Sequence, residues 1–87
     1  MDRPIGLGMP EVMVITPGRF EDAQQAVLAV RDQKVVVLQA RLLEADVAQR
    51  AIDFVAGGVS AMDGQAERLD ATTFLFTPAV VNLSHLS

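Results

Sequence analysis

The chain of 87 residues has no cysteine, tryptophan or tyrosine, and a single histidine. Without cysteine there is no disulfide framework and no thiolate metal site, which suits a reducing cytoplasm. Only four residues are aromatic, all of them Phe, at positions 20, 54, 74 and 76. A core must therefore be aliphatic, built from Val, Leu, Ile and Ala. Basic residues are scarce: seven Lys and Arg against eleven Asp and Glu give a formal net charge of −4. The charges are interspersed with no basic stripe, which argues against nucleic acid as a partner. No run approaches the ~18–20 apolar residues of a membrane span. Residues 1–10 lack the basic start and apolar stretch of a signal peptide and read as a flexible leader.

Chemistry-bearing groups are equally thin. His85 lies in a C-terminal tail (82–87) expected to fray. Ser60, Ser84 and Ser87 lack the context of a nucleophile elbow. Glu44 and Asp46 stand two apart at a helix start, where carboxylates favour the dipole and do not face each other. Asp53 follows Arg50 at i+3 and is read as half of a surface ion pair, and Asp63 belongs to a turn. Gly6-Leu7-Gly8 comes before the first strand instead of after it, so a phosphate loop fails its context test. No spacing suggests metal ligation. The expectation is a non-enzyme with no cofactor and no metal.

What is present is a single domain, since a chain of this length buries only about 60–65% of its unfolded surface. Val12 to Ile15, ended by Thr16-Pro17-Gly18, reads as a buried strand and turn. Phe20, Ala23, Ala26/Val27 and Val30 recur at helical spacing to Arg31, with Glu21 and Asp22 in the first turn. Arg19 stands where a small hydroxyl would cap this helix, a loss of ~0.5–2 kcal/mol unless another group serves. Lys34 to Gln39 is apolar on both faces, as a central strand should be. Strand–helix–strand at this spacing fits a right-handed parallel crossover. Gln65 to Leu69 and Thr73 to Thr77 flank Asp70-Ala71-Thr72 as a hairpin. Pro78 ends the second arm, and Ala79 to Leu83 offers one more short edge strand. The order β-α-β-α-β-β predicts an α/β two-layer sandwich, two helices on a small mixed sheet.

The longest helical pattern runs from Glu44 to Met62, with Gly57-Gly58 loosening it near its end and Asp63-Gly64 stopping it. Its apolar residues spread over roughly 220° of arc, against the ~100° stripe that covers one core. A sheet covers the side of Ala48, Ile52, Val55, Val59 and Met62. The side of Ala51, Phe54, Gly58 and Ala61 needs a second cover, either another helix of this chain or the same helix of a partner. We read it as a self-association face, on which Gly58→Lys should weaken association and leave the fold intact. In the hairpin, Arg68 and Phe74 fall on opposite arms near the turn and frame a shallow site, unless Phe74 is simply core.

Taken together, Thr16-Pro17-Gly18-Arg19-Phe20, Val35 to Leu38, Ala48-Gln49-Arg50, Asp53-Phe54, Gly57-Gly58, Ala61-Met62-Asp63-Gly64 and Phe74 to Pro78 follow a known order and spacing. Over residues 11–81 the chain resembles the core domain of SepF, a family of bacterial cell-division proteins, in its cyanobacterial branch. The resemblance implies a cytoplasmic adaptor at the division site. Such a protein forms homodimers that assemble further, and binds the C-terminal tail of the tubulin-like protein FtsZ. The family's basic residue before the hairpin turn falls on Arg68, its aromatic at the head of the last strand on Phe74, and its helix glycines on Gly57 and Gly58. With the hairpin neighbours and the second face of the long helix, the candidate sets are Arg68, Leu69, Phe74 and Phe76 for tail binding and Ala51, Phe54, Gly57, Gly58 and Ala61 for self-association. Full-length members reach the membrane through an N-terminal amphipathic helix that these residues do not include. Two departures stand out: Ser60 replaces an aromatic after the Gly pair, and Gln39-Ala40 replaces Asn-Leu. The alternative is a small-ligand regulatory domain acting as a dimer, which would need an enclosed pocket with convergent polar groups.

Overall fold

A computed structural model describes residues 11–79. The expected leader, the extra strand at Ala79 to Leu83 except for Ala79 itself, and the tail with His85 lie outside them. The elements run β1 (Val12–Ile15), a 3-10 turn (Phe20–Ala23), α1 (Gln24–Arg31), β2 (Val35–Gln39), α2 (Ala45–Ala61), β3 (Gln65–Arg68) and β4 (Thr73–Thr77). The predicted order β-α-β-α-β-β is the observed one. The four strands form one mixed sheet in the order β1-β2-β4-β3. β1 and β2 are parallel, with Val12 opposite Val35 and Ile15 opposite Leu38. β4 runs antiparallel to both β2 and β3.

Alternation along the strands sends Ile15, Val36, Leu38 and Phe76 to one face, where they form a single core with residues of both helices. α1 contributes Ala26, Ala29 and Val30, and α2 contributes Ala48, Ala51, Ile52, Val55 and Val59. The expected aliphatic core is thus present, with Phe76 as its one fully buried ring. Among the described residues the other face of the sheet carries no helix. Val12 and Val14 are therefore 57% and 62% exposed, and β1 is an edge strand with one open face instead of the buried strand its apolar run suggested.

The wide apolar arc of α2 is covered in part from within the chain. Gly58 lies against Val27 of α1, where an added Cβ would stand 3.1 Å from Val27 Cγ1. Phe54 meets Phe20 with ring centroids 5.7 Å apart. Ala51 is fully buried. Of the five residues assigned to self-association, Ala51 and Gly58 thus pack inside the protomer. Phe54, Gly57 and Ala61 keep exposed surface. A lysine at Gly58 would meet Val27 of α1, so the substitution bears on the packing of the protomer itself.

α2 also runs unbroken through Gly57 and Gly58. It stops where Gly64 N–H reaches Val59 O at 2.9 Å and Asp63 takes a φ of 62°. The first helix lacks a side-chain cap at Arg19, as expected. Asp22 Oδ2 accepts the N–H of Gly18, one residue before the cap position, at 3.3 Å.

Candidate functional site: the Arg68–Phe74 hairpin

The hairpin register places Arg68 directly opposite Phe74. Leu69 N–H donates to Thr73 O at 2.8 Å, so hydrogen-bonded pairs fall at Leu69/Thr73, Glu67/Leu75 and Gln65/Thr77. Arg68/Phe74 is then a non-hydrogen-bonded pair, the kind whose side chains approach most closely. The Arg68 guanidinium carbon lies 5.8 Å from the centroid of the Phe74 ring. At an exposed position such a cation–π contact contributes about 0.5–1 kcal/mol, enough to bias a rotamer and far too little to bury the cation. Among the described residues Arg68 has no carboxylate partner. Its Nε donates to Asp70 O at 3.3 Å.

Phe74 is half-buried, packed against the rim of the core, and stacks on Phe76 with centroids 6.1 Å apart. Both alternatives raised for Phe74 therefore hold in part: one edge is core and the other faces solvent beside Arg68. Phe76 is fully buried, which removes it from the tail-contacting set, because it can act only as the floor behind Phe74. Leu69 extends the surface at 53% exposure.

The loop joining the arms has its own bracing. Asp70 Oδ1 accepts the Thr72 N–H at 2.9 Å, an Asx turn, and Asp70 N–H donates to Thr73 O at 3.2 Å. The Asp70 carboxyl is held below its ordinary value, first by the Thr72 N–H and then by the Thr73 hydroxyl. The Asp-Ala-Thr pattern predicts the turn, and the structure adds the acceptor role of the Asp70 carboxylate within it.

A second apolar surface lies on the helical layer. Phe20, Phe54, Glu21 and Gln24 line a hollow of about 150 Å³. Arg50 caps it, its guanidinium carbon 5.3 Å from the Phe20 centroid. The expected Arg50–Asp53 pair is not formed; Asp53 Oδ1 accepts from Gln49 Nε2 at 2.9 Å instead. The hollow beside β3, lined by Gln65, Ala66, Glu67, Leu75 and Thr77, holds about 160 Å³. Both fall short of the ~300–1,000 Å³ of small-molecule pockets. Among the described residues no three His, Cys, Asp or Glu converge as metal ligands, and no helix is long and apolar enough to cross a membrane.

Comparison with known proteins bears on this geometry. The family model described as "Cell division protein SepF" matches residues 12–83. The chain belongs to the SepF cell-division family. SepF proteins of Trichormus variabilis and Gloeobacter violaceus are each 49% identical to it over 77 residues, 88% of this chain. That of Synechococcus elongatus is 49% identical over 74 residues, 85% of the chain. The chain spans only about two-fifths of the length of these relatives, 39–40%. In three dimensions it is similar to a SepF-like protein from Pyrococcus furiosus, with a TM-score of 0.72 at 12% identity, covering 80% of this chain and 88% of that one. At that identity the likeness speaks to fold: two helices on a mixed four-stranded sheet. SepF is a family of cell-division proteins and not of enzymes, and the cyanobacterial resemblance of the sequence agrees with these relatives.

Proposed function

We propose that this SepF-family domain is a division adaptor that binds the C-terminal tail of FtsZ on the Arg68–Phe74 hairpin and self-associates to present several such sites. The observation that carries the first half is the cross-strand pair itself: a cation without a carboxylate partner among the described residues, 5.8 Å from a half-exposed ring, next to the exposed Leu69. That juxtaposition suits an extended peptide bearing an acidic and an apolar side chain. A solvated Arg–carboxylate pair adds little alone, about 0–1 kcal/mol, so apolar burial on Phe74 and Leu69 must supply most of the affinity. The shallow hollows favour a peptide over a small ligand, which would need a deeper enclosure.

For self-association, the open sheet face is the apolar surface that α1 and α2 leave free. Val14, Val37 and Leu75 lie in one cross-strand row there, with Val12 one step along. A second copy meeting this face about a two-fold axis would use the same residues on both sides. Phe54, Gly57 and Ala61, on the opposite layer, are assigned a second contact. Two isologous contacts on opposite layers generate a string of dimers, which is the further assembly expected of the family.

A calorimetric titration with a peptide of the FtsZ tail tests the adaptor reading. One peptide per protomer with saturable heat is expected, and Arg68→Glu should weaken binding by about tenfold or more, ~1.4 kcal/mol. Saturable binding that ignores both Arg68→Glu and Phe74→Ala would place the tail elsewhere.

A further inference from the structure

The Arg68–Phe74 pair is held by a contact neither residue makes with the other. Arg68 donates from Nε to the backbone carbonyl of Asp70 at 3.3 Å. That carbonyl is itself fixed, because Asp70 is tied into the loop three ways. Its carboxylate accepts the Thr72 N–H at 2.9 Å, its N–H donates to Thr73 O at 3.2 Å, and its carbonyl accepts the Thr73 N–H at 3.4 Å. The guanidinium thus meets both a carbonyl and a ring.

An unbraced arginine on an edge strand has rotamer entropy to lose on binding, and all four residues of β3 are exposed, so packing does not hold it. We propose that Asp70 is a positioning residue for the peptide-binding site. Its Asx turn sets the carbonyl that aims the Arg68 guanidinium over Phe74, so that the site is pre-formed before the peptide arrives. The claim rests on the tail-binding reading only for its functional consequence; the positioning itself is a property of the free domain.

The chemistry makes a sharp distinction between two substitutions. Asp70→Asn keeps a side-chain oxygen that can accept the Thr72 N–H, and Asn is favoured in Asx turns. Asp70→Ala removes the acceptor and leaves the loop free to splay. Neither alters Arg68 or Phe74, and both lie at an exposed position.

The experiment measures three quantities on the wild-type domain and both variants: melting temperature, FtsZ-tail affinity, and the NMR shifts of the Arg68 Hδ and Nε–H protons. Protons held near an aromatic face carry a ring-current displacement, so the last readout reports the geometry with no peptide present. The expected pattern for Asp70→Ala is loss of that displacement and a roughly fivefold to tenfold weaker affinity, with the melt nearly unmoved. Asp70→Asn should keep the displacement and bind within about twofold of wild type. Retention of the displacement and the affinity in Asp70→Ala would overturn the proposal, as would Asp70→Asn behaving like Asp70→Ala. If the wild-type domain does not bind the peptide, the tail-binding reading fails by itself, and the Arg68 shifts still decide whether Asp70 positions the guanidinium.

Discussion

Two adjacent residues at the end of α2 show how narrowly the turn into the hairpin is set. Asp63 has a φ of 62°, in the left-handed region that costs an L-residue roughly 1–2 kcal/mol and that Asn and Asp tolerate better than most. Next to it, a Cβ built on Gly64 would sit 2.5 Å from Thr77 O and 2.7 Å from Val59 Cγ1. Backbone cannot yield as a flexible side chain can, so Gly64→Ala must shift β4 or α2. The expected loss is about 2 kcal/mol or more, within the range seen for overpacking, whereas Asp63→Gly should stabilise by about 0.5–1 kcal/mol. Chemical denaturation of both variants checks the pair, and the opposite signs are the diagnostic feature.

Asp70 supplies the pH dependence at this scale. Its carboxyl is held low in the folded chain by the Thr72 N–H and the Thr73 hydroxyl. Its contribution is therefore fully present above the unfolded carboxylate value and lost as the pH falls through the lowered folded value. Direct NMR titration of the Asp70 carboxyl should give a midpoint below that of the same residue in the urea-unfolded chain. A midpoint above it would contradict the Asx-turn assignment.

At the scale of elements, the glycine pair of α2 separates two roles that its spacing could not. Gly57 has open space where a Cβ would go, while Gly58 faces Val27 at 3.1 Å. Gly57→Ala should raise the stability of the protomer by about 0.5–1 kcal/mol through helix propensity. Gly58→Ala gains the same propensity and loses it again in displacing Val27, so its net effect should be smaller or destabilising. Thermal melts at low protein concentration distinguish the two.

This pair also marks what the sequence makes legible. The period of α2, the hairpin and the strand–helix–strand crossover are written in local spacing, and each appears where expected. The fold order follows from them. Which layer covers the second face of α2 is not local information, because an apolar arc of small residues suits α1 and a second copy equally. Only the approach of Val27 and Phe20 resolves it. The open face of β1 was hidden for a related reason. Val-Met-Val-Ile is apolar on both sides, so its pattern carries no sign of which side lacks a helix. In the site, the Arg68–Phe74 pairing followed from counting back from the turn. The burial of Phe76 is implied by the same face alternation that turns Leu75 to the other face of the sheet, since Phe76 sits opposite Val36.

At the scale of the whole molecule, 87 residues with a core of Ala and Val leave little margin, and the sheet face that the described residues leave uncovered is the surface proposed for association. Val14→Glu places a charge in the middle of the row Val14, Val37 and Leu75. It should shift the sedimentation profile towards protomer with little effect on the far-ultraviolet circular dichroism spectrum. Gly57→Lys should instead shorten larger assemblies and spare the dimer. If neither substitution alters mass across a concentration series, both contact surfaces are wrongly assigned.

The measurement that bears most directly on the account is an amide shift map of the isotope-labelled domain titrated with the FtsZ tail peptide. The account predicts that the perturbed amides cluster on Arg68, Leu69 and Phe74 and the loop between them. It predicts little change around Phe20 and Phe54. Perturbations centred on the Phe20–Phe54 hollow, with the hairpin silent, would contradict it.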